Sequence, residues 1–372
     1  MNAFDNAKIS PRQFTILIIL GIIGDSILIL PTVIASSAKQ DSWLSMIVAT
    51  FLGLMSGWLF ASIANKQQRV SLFIFTRQKL GRFIGGCFCL LFLFEFFICI
   101  LSLLSEMSQF MTTQMMPETP VNAIIIVFLT VIIIAYRYGI EAFARMSELL
   151  FPVFMLLFLF LIIFLMPQVD FSNLRPIASR GLGPIWQGAM PAFTFGFTEM
   201  VILLMMVSHV TGNAKLTKSI LTGIASGGVI MFLIVLFCVL VLGTNLMETK
   251  YYPTFVLAQK ITIGHFLERL EVILAFLWIT TVFYKTLLLF FSLTTGISDL
   301  LKLKENHMLT IPIGMILLVG TVVGTPNIIV YIDLMKQYYV WFDLSFCVVV
   351  PLLLFVLLVL ADKRNPALSS SK

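Results

Sequence analysis

The segment Gly21-Ile-Ile-Gly24-Asp25-Ser26-Ile-Leu-Ile-Leu-Pro31 lies inside an apolar run yet is badly built as one continuous helix. Each glycine weakens a helix by about 1 kcal/mol, and a proline removes a backbone donor. Asp25 adds a carboxylate in otherwise hydrocarbon surroundings. The reading predicts a helix that breaks near Gly24. The segment Pro191-Ala-Phe-Thr194-Phe195-Gly196-Phe197-Thr198-Glu199 has the same character and is predicted to break near Gly196. Working outward, Gly53-xxx-Gly57 follows the first break and Gly223-xxx-Gly227 the second, each a small-residue face for close helix approach. Gly24 and Gly196 are 172 residues apart and Gly53 and Gly223 are 170 apart, so two halves of the chain run in step.

The medium is set by composition. Of 372 residues 59% are hydrophobic and 11% charged, against about 45–50% and 25% in soluble domains. A bilayer crossing takes about 20 apolar residues. Ten spans are predicted, near 13–35, 42–64, 83–113, 119–136, 143–166, 186–208, 219–243, 267–297, 308–328 and 338–361. The fold class is therefore an all-α integral membrane protein, one polytopic domain over 1–372. Residues 1–166 form its first repeat, 186–361 its second and 362–372 a tail. Five spans per half, an odd number, make the repeat inverted, and broken helices at matching positions point to a midplane binding site.

With both termini on the cytoplasmic side, 16 Lys and Arg fall in cytoplasmic segments. Seven fall on the other side: Lys39, Arg175, Arg180, Lys250, Lys260, Arg269 and Lys336. That bias fixes the orientation by the positive-inside rule. The first span is expected to stay uncleaved, because it is too long for a signal h-region and Asp25 interrupts it. The net charge of +6 is scattered over short loops, which argues against a nucleic-acid partner. Cys87, Cys89, Cys99, Cys238 and Cys347 fall in apolar stretches and are expected as buried packing residues, with no disulfide framework and no metal pair. No phosphate-cradling loop, zinc-protease motif or intramembrane protease constellation is present, so neither an enzyme nor a cofactor is expected.

Five ionisable residues are counted within spans: Asp25, Glu95, Glu106, Glu199 and Lys285. Each costs at least about 2.5–3.5 kcal/mol at mid-bilayer, so each should face a cavity or a partner. Asp25 lies 13 residues past Arg12, Glu95 13 past Arg82 and Lys285 16 past Arg269. At 1.5 Å per residue these are depths of roughly 20–24 Å, one level at which they can form a coupled, ion-like site. Glu106 is expected nearer the interface as a hydrated carboxylate. Asp25 and Glu199 either cap amides freed by the breaks or line a ligand site. Gly21, Gly24, Asp25, Ser26, Thr194, Phe195, Gly196, Phe197, Thr198 and Glu199 are the candidate ligand residues. Freed amides near Asp25 and Ser26 and freed carbonyls before Gly196 suit a small zwitterion.

Three stretches together resemble a known family: Ile9-Ser-Pro-Arg-Gln-Phe14, Phe195-Gly-Phe-Thr-Glu199, and Phe266-Leu-Glu-Arg-Leu-Glu271 with Trp278 and Lys285. They look like the B subunits of bacterial spore germinant receptors, over essentially the whole chain. The resemblance implies the leucine-transporter-like five-plus-five fold of the amino acid/polyamine/organocation transporter superfamily. It also implies a nutrient-sensing membrane subunit that works beside A and C subunits in the spore inner membrane, often on amino acids. In that fold Gly21, Gly24 and Ser26 match the first broken helix and Phe195, Gly196 and Phe197 the sixth. Helices 1 and 8 of the fold meet at a sodium site, where the Lys285 ammonium would stand in for the ion beside Asp25. The Gly24-Asp25-Ser26 order departs from the Gly-Ser-Gly of amino-acid permeases. The rival readings are a cation-coupled amino-acid permease and a ligand-free channel or scaffold subunit.

Overall fold

The computed structural model describes residues 7–67, 70–212, 215–261, 270–303, 305–325 and 327–364. Much of the Phe266–Glu271 run, with Arg69, Arg269 and the tail beyond 364, lies outside these. The described residues form helices in the order α1 (Pro11–Ile23), α2 (Ser26–Ala38), α3 (Ser42–Lys66), α4 (Leu72–Leu80), α5 (Arg82–Phe110), α6 (Val121–Tyr138), α7 (Ile140–Leu165) and α8 (Leu182–Phe197). The second half continues with α9 (Leu203–Met206), α10 (Leu216–Thr249), α11 (Pro253–Gln259), α12 (Glu271–Leu301), α13 (Thr310–Gly324), α14 (Ile328–Leu334), α15 (Val340–Asp343) and α16 (Val350–Arg364). Among them nine stretches are long and apolar enough to cross a bilayer, one of which runs through the turn Lys39–Asp41 and so holds α2 and α3 together. With the shorter apolar α1, the pair α1–α2 is the first span and α3 the second. The exposed large apolar side chains, such as Phe51, Trp58, Leu149 and Val323, form the face expected to meet lipid.

Both predicted breaks are present. α1 ends at Gly24 and α2 restarts at Ser26. α8 gives way at Thr198 to a 3₁₀ turn, Thr198–Ile202. Corresponding members of the two halves pack on one another: α2 on α8, α3 on α10, α5 on α12. The small-residue motifs work reciprocally. A Cβ on Gly53 would lie 2.5 Å from Phe197 of the sixth span, and one on Gly223 would lie 2.8 Å from Ile18 of the first. A second span thus receives a sixth, and a seventh receives a first, as an inverted repeat requires.

Freed backbone groups find partners. Pro31 cannot donate to Ile27, and the Ile27 carbonyl accepts instead from Thr254 Oγ1 at 2.6 Å. At Gly243 the backbone turns to φ 68°, so α10 kinks and the Leu240 carbonyl accepts from Asp170 N and Asn173 Nδ2, both at 3.0 Å. At one end of the bundle Ile9 forms a two-bond bridge with the segment after the sixth span: Ile9 N donates to the His209 carbonyl at 2.8 Å, and Thr211 N to the Ile9 carbonyl at 2.9 Å. Asp362 ties the end of α16 to Lys66 at 2.8 Å and Lys79 at 2.9 Å.

Three expectations need correction. The tenth span starts at Ile328, ten residues before the predicted 338, because the turn after α13 is short and Asn327 caps α14 through Val330 N. Cys87 is exposed rather than buried, on the opposite side of α5 from Cys89. Glu106 is 1% exposed and accepts from Tyr331 Oη at 3.3 Å. The earlier start of the tenth span lays Tyr331 over that carboxylate and shuts out water.

Candidate functional site

Lys285 sits on α12 with no solvent exposure, between the two broken spans. Its ammonium is 2.6 Å from Asp25 Oδ1 at the first break and 2.6 Å from Glu199 Oε2 at the second. It also donates to the Phe195 carbonyl at 3.3 Å. One cation thus binds both interruptions. The approach depends on Gly24, where an added Cβ would lie 2.5 Å from Lys285 Cδ. Thr281, one turn before Lys285, donates to the freed Gly24 carbonyl at 3.2 Å. Asp25 makes no capping bond to the amides of α2, and its carboxylate turns to the ammonium, with Ser26 Oγ donating to it at 3.4 Å. The helix-capping role is therefore not the one it takes. Tyr339 Oη donates to Glu199 Oε1 at 2.5 Å, and its ring stacks on Phe195 with centroids 5.0 Å apart.

The other candidates divide. Gly196 has room for a methyl, since a Cβ there would meet Ser26 Oγ at 3.7 Å, an ordinary contact. Gly21 faces Met200, with a Cβ 3.0 Å from its terminal carbon. The Thr194 and Thr198 hydroxyls donate within their own helix, to Pro191 O at 3.0 Å and Thr194 O at 2.9 Å, which leaves only their lone pairs for another group. Phe197 fills the gap beside Gly53 and so serves packing. Glu95 does not join Lys285. Its Oε1 accepts from Cys99 Sγ at 3.1 Å and Cys347 Sγ at 3.0 Å. Cys99 lies 3.7 Å from Tyr339 Oη, so Tyr339 stands between Glu95 and Glu199.

Two residues escaped the sequence reading. Asp343 is fully buried in the tenth span, and Tyr339 bridges to Glu199. Asp343 falls five residues inside the predicted 338–361 span but is not among the five ionisable residues singled out above. A start at Ile328 puts it well inside. Three turns along α5 from Glu95, Ser105 Oγ and Glu106 Oε1 are buried without a hydrogen-bond partner, as is Trp278 Nε1 on α12.

The family model described as "Spore germination protein" matches residues 8–329. The chain belongs to the spore germination protein family. It is 26% identical over 365 residues to spore germination protein KB of Bacillus subtilis (strain 168), covering 97% of each chain. It is 28% identical over 304 residues to spore germination protein XB of Bacillus anthracis, covering 79% of this chain and 82% of that one. Among solved structures it resembles Mhp1, a nucleobase-cation-symport-1 family transporter in a closed conformation, with TM-score 0.69 and 10% identity over 98% of this chain and 96% of that one. It also resembles MhsT in complex with L-phenylalanine, with TM-score 0.66 and 11% identity over 96% and 99%. At such identities the likeness gives the fold: this member of the family has the five-plus-five architecture with helices 1 and 6 broken.

Proposed function

We propose that the chain is a nutrient-sensing membrane subunit of a spore germination receptor, built on a transporter scaffold, with an amino-acid-like ligand held between the two breaks. A and C subunits are its proposed partners, the spore inner membrane its location, and both termini are proposed to be cytoplasmic. The observation that carries the reading is the Lys285 junction. Two carboxylates, Asp25 and Glu199, face one ammonium. A ligand ammonium brings that count into balance and competes with Lys285 for the Phe195 carbonyl. The ligand carboxylate meets the amides at the start of α2, where the helix dipole favours an anion. Occupancy is read out because Lys285 holds both breaks: loosening its grip on one releases the other.

The test is a thermal-shift and calorimetric screen of the purified protein in nanodiscs. It compares amino acids with their N-acetyl derivatives, which lack the ammonium, and their amides, which lack the carboxylate. Stabilisation by free amino acids and loss of it with both derivatives is the expected result. Equal response to the N-acetyl compounds sinks the assignment, and uptake of labelled amino acid by the chain alone in liposomes favours a permease.

A further inference from the structure

Beside the Lys285 junction lies a second buried cluster that ligand sensing does not use. Glu95 and Cys99 are one turn apart on α5, and Asp343 and Cys347 are one turn apart on the tenth span. Pairs of this spacing on facing helices are how bundles present metal ligands. The donor atoms of Glu95, Cys99 and Asp343 lie within 4.8 Å of one another, and Cys347 Sγ is 3.0 Å from Glu95 Oε1. Asp343 is 0% exposed and neither of its oxygens has a hydrogen-bond partner; Glu95 Oε2 has none either. A buried carboxylate left with both oxygens unpaired is costly unless a cation or a proton meets it. The local helix is also unusual. π turns at Met335–Tyr339 and Leu344–Val349 flank Asp343, and such turns are frequent at functional sites.

We propose that Glu95, Cys99, Asp343 and Cys347 form an intramembrane site for a soft divalent metal ion of the zinc class. Two sulfurs and two carboxylates are a four-ligand set for such an ion, whereas magnesium and calcium take six or more oxygens. Zinc binds sulfur at about 2.3 Å and carboxylate oxygen at about 2.0–2.2 Å. Glu95, Cys99 and Asp343 would therefore close on the ion, and Cys347, 3.0 Å from Glu95 but outside their mutual group, would swing in as the fourth ligand. Binding forms two metal–sulfur and two metal–oxygen bonds in place of the ion's bonds to water, which is released, and the two thiols give up their protons to solvent. Nothing is oxidised or reduced. The bound ion would fix the tenth span against α5, one side chain away from the junction through Tyr339.

The experiment uses the full chain, expressed in zinc-depleted medium, placed in nanodiscs and titrated with Cd²⁺. The expected result is one Cd²⁺ per chain with a thiolate-to-cadmium charge-transfer band in the ultraviolet, erased by excess EDTA. Affinity should fall about tenfold or more in Asp343→Asn and Cys347→Ser, and stay unchanged when Cys87 and Cys89 are both replaced by serine. Should Asp343→Asn fail to accumulate, Cys347→Ser carries the same test, with bound metal counted by mass spectrometry. A folded wild-type chain with no band, or a band of equal strength in Cys347→Ser, overturns the site. Neither outcome depends on the amino-acid reading, since no nutrient is present.

Discussion

At the scale of single residues, Lys285 is held by two carboxylates, Asp25 and Glu199, where the sequence reading grouped it with Asp25 and Glu95. Depth along each helix put Asp25, Glu95 and Lys285 at one level, and Asp25 and Lys285 stand 2.6 Å apart. Depth could not give the azimuth of Glu95, which faces the thiols of α5 and the tenth span. Nor could it show that the 3₁₀ turn after Phe197 aims Glu199 at the ammonium. The paired geometry has a direct consequence for mutants, because a buried charge stripped of its partner costs about 3–5 kcal/mol, whereas neutralising every member can be nearly free. Lys285→Met, which leaves two carboxylates facing each other, should abolish accumulation in the membrane. Asp25→Asn alone should be milder than Lys285→Met, since Glu199 still balances the ammonium. The triple variant Lys285→Met, Asp25→Asn, Glu199→Gln should regain protein level while losing nutrient response. Quantitative blots and thermal stability of the extracted protein decide this; strict additivity across the set refutes the coupling.

At the scale of elements, both breaks were legible because they are written in residues with strong backbone effects: two glycines and a proline in the first, a proline and a glycine in the second. The Gly-xxx-Gly pairs were legible as contact faces for the same reason. The tenth span was not, since Ile328 to Val340 mixes Tyr, Asp and Lys with apolar residues and lacks the hydropathy of a lipid-facing run. Tyr331 and Tyr339 are buried there, whereas Asp333 and Tyr338 are exposed. The two break glycines then make opposite predictions. At Gly24 a Cβ would collide with Lys285 Cδ at 2.5 Å and with the Gly21 carbonyl at 2.9 Å, so Gly24→Ala should destabilise by about 1–3 kcal/mol, the usual cost of overpacking. At Gly196 the new methyl meets only Ser26 Oγ at 3.7 Å, so Gly196→Ala should leave the melting temperature unchanged and alter the nutrient concentration for half-maximal response. Equal melting temperatures for the two variants contradict this account.

At the scale of the whole molecule, the charge asymmetry of the loops predicts which face is cytoplasmic. Single cysteines placed in the 66–82 loop and the 168–185 loop of a cysteine-free background should be labelled by an impermeant maleimide from opposite sides. Labelling of both from one side removes the inverted repeat's premise. The bridge at Ile9 bears on a different matter. It stitches the strand leading into the first broken span to the strand leaving the sixth, main chain to main chain, with two bonds worth about 1 kcal/mol each. On that face the two discontinuous helices are yoked like a pair of oars lashed at the handles, so neither half swings without carrying the other. An alternating gate must let such halves part to discharge cargo, whereas a lever that reports occupancy gains from their moving in unison. Ile9→Pro deletes the donor to His209 and should separate these demands, with ligand binding retained and the germination signal lost; an unaltered signal would show that the lashing transmits nothing.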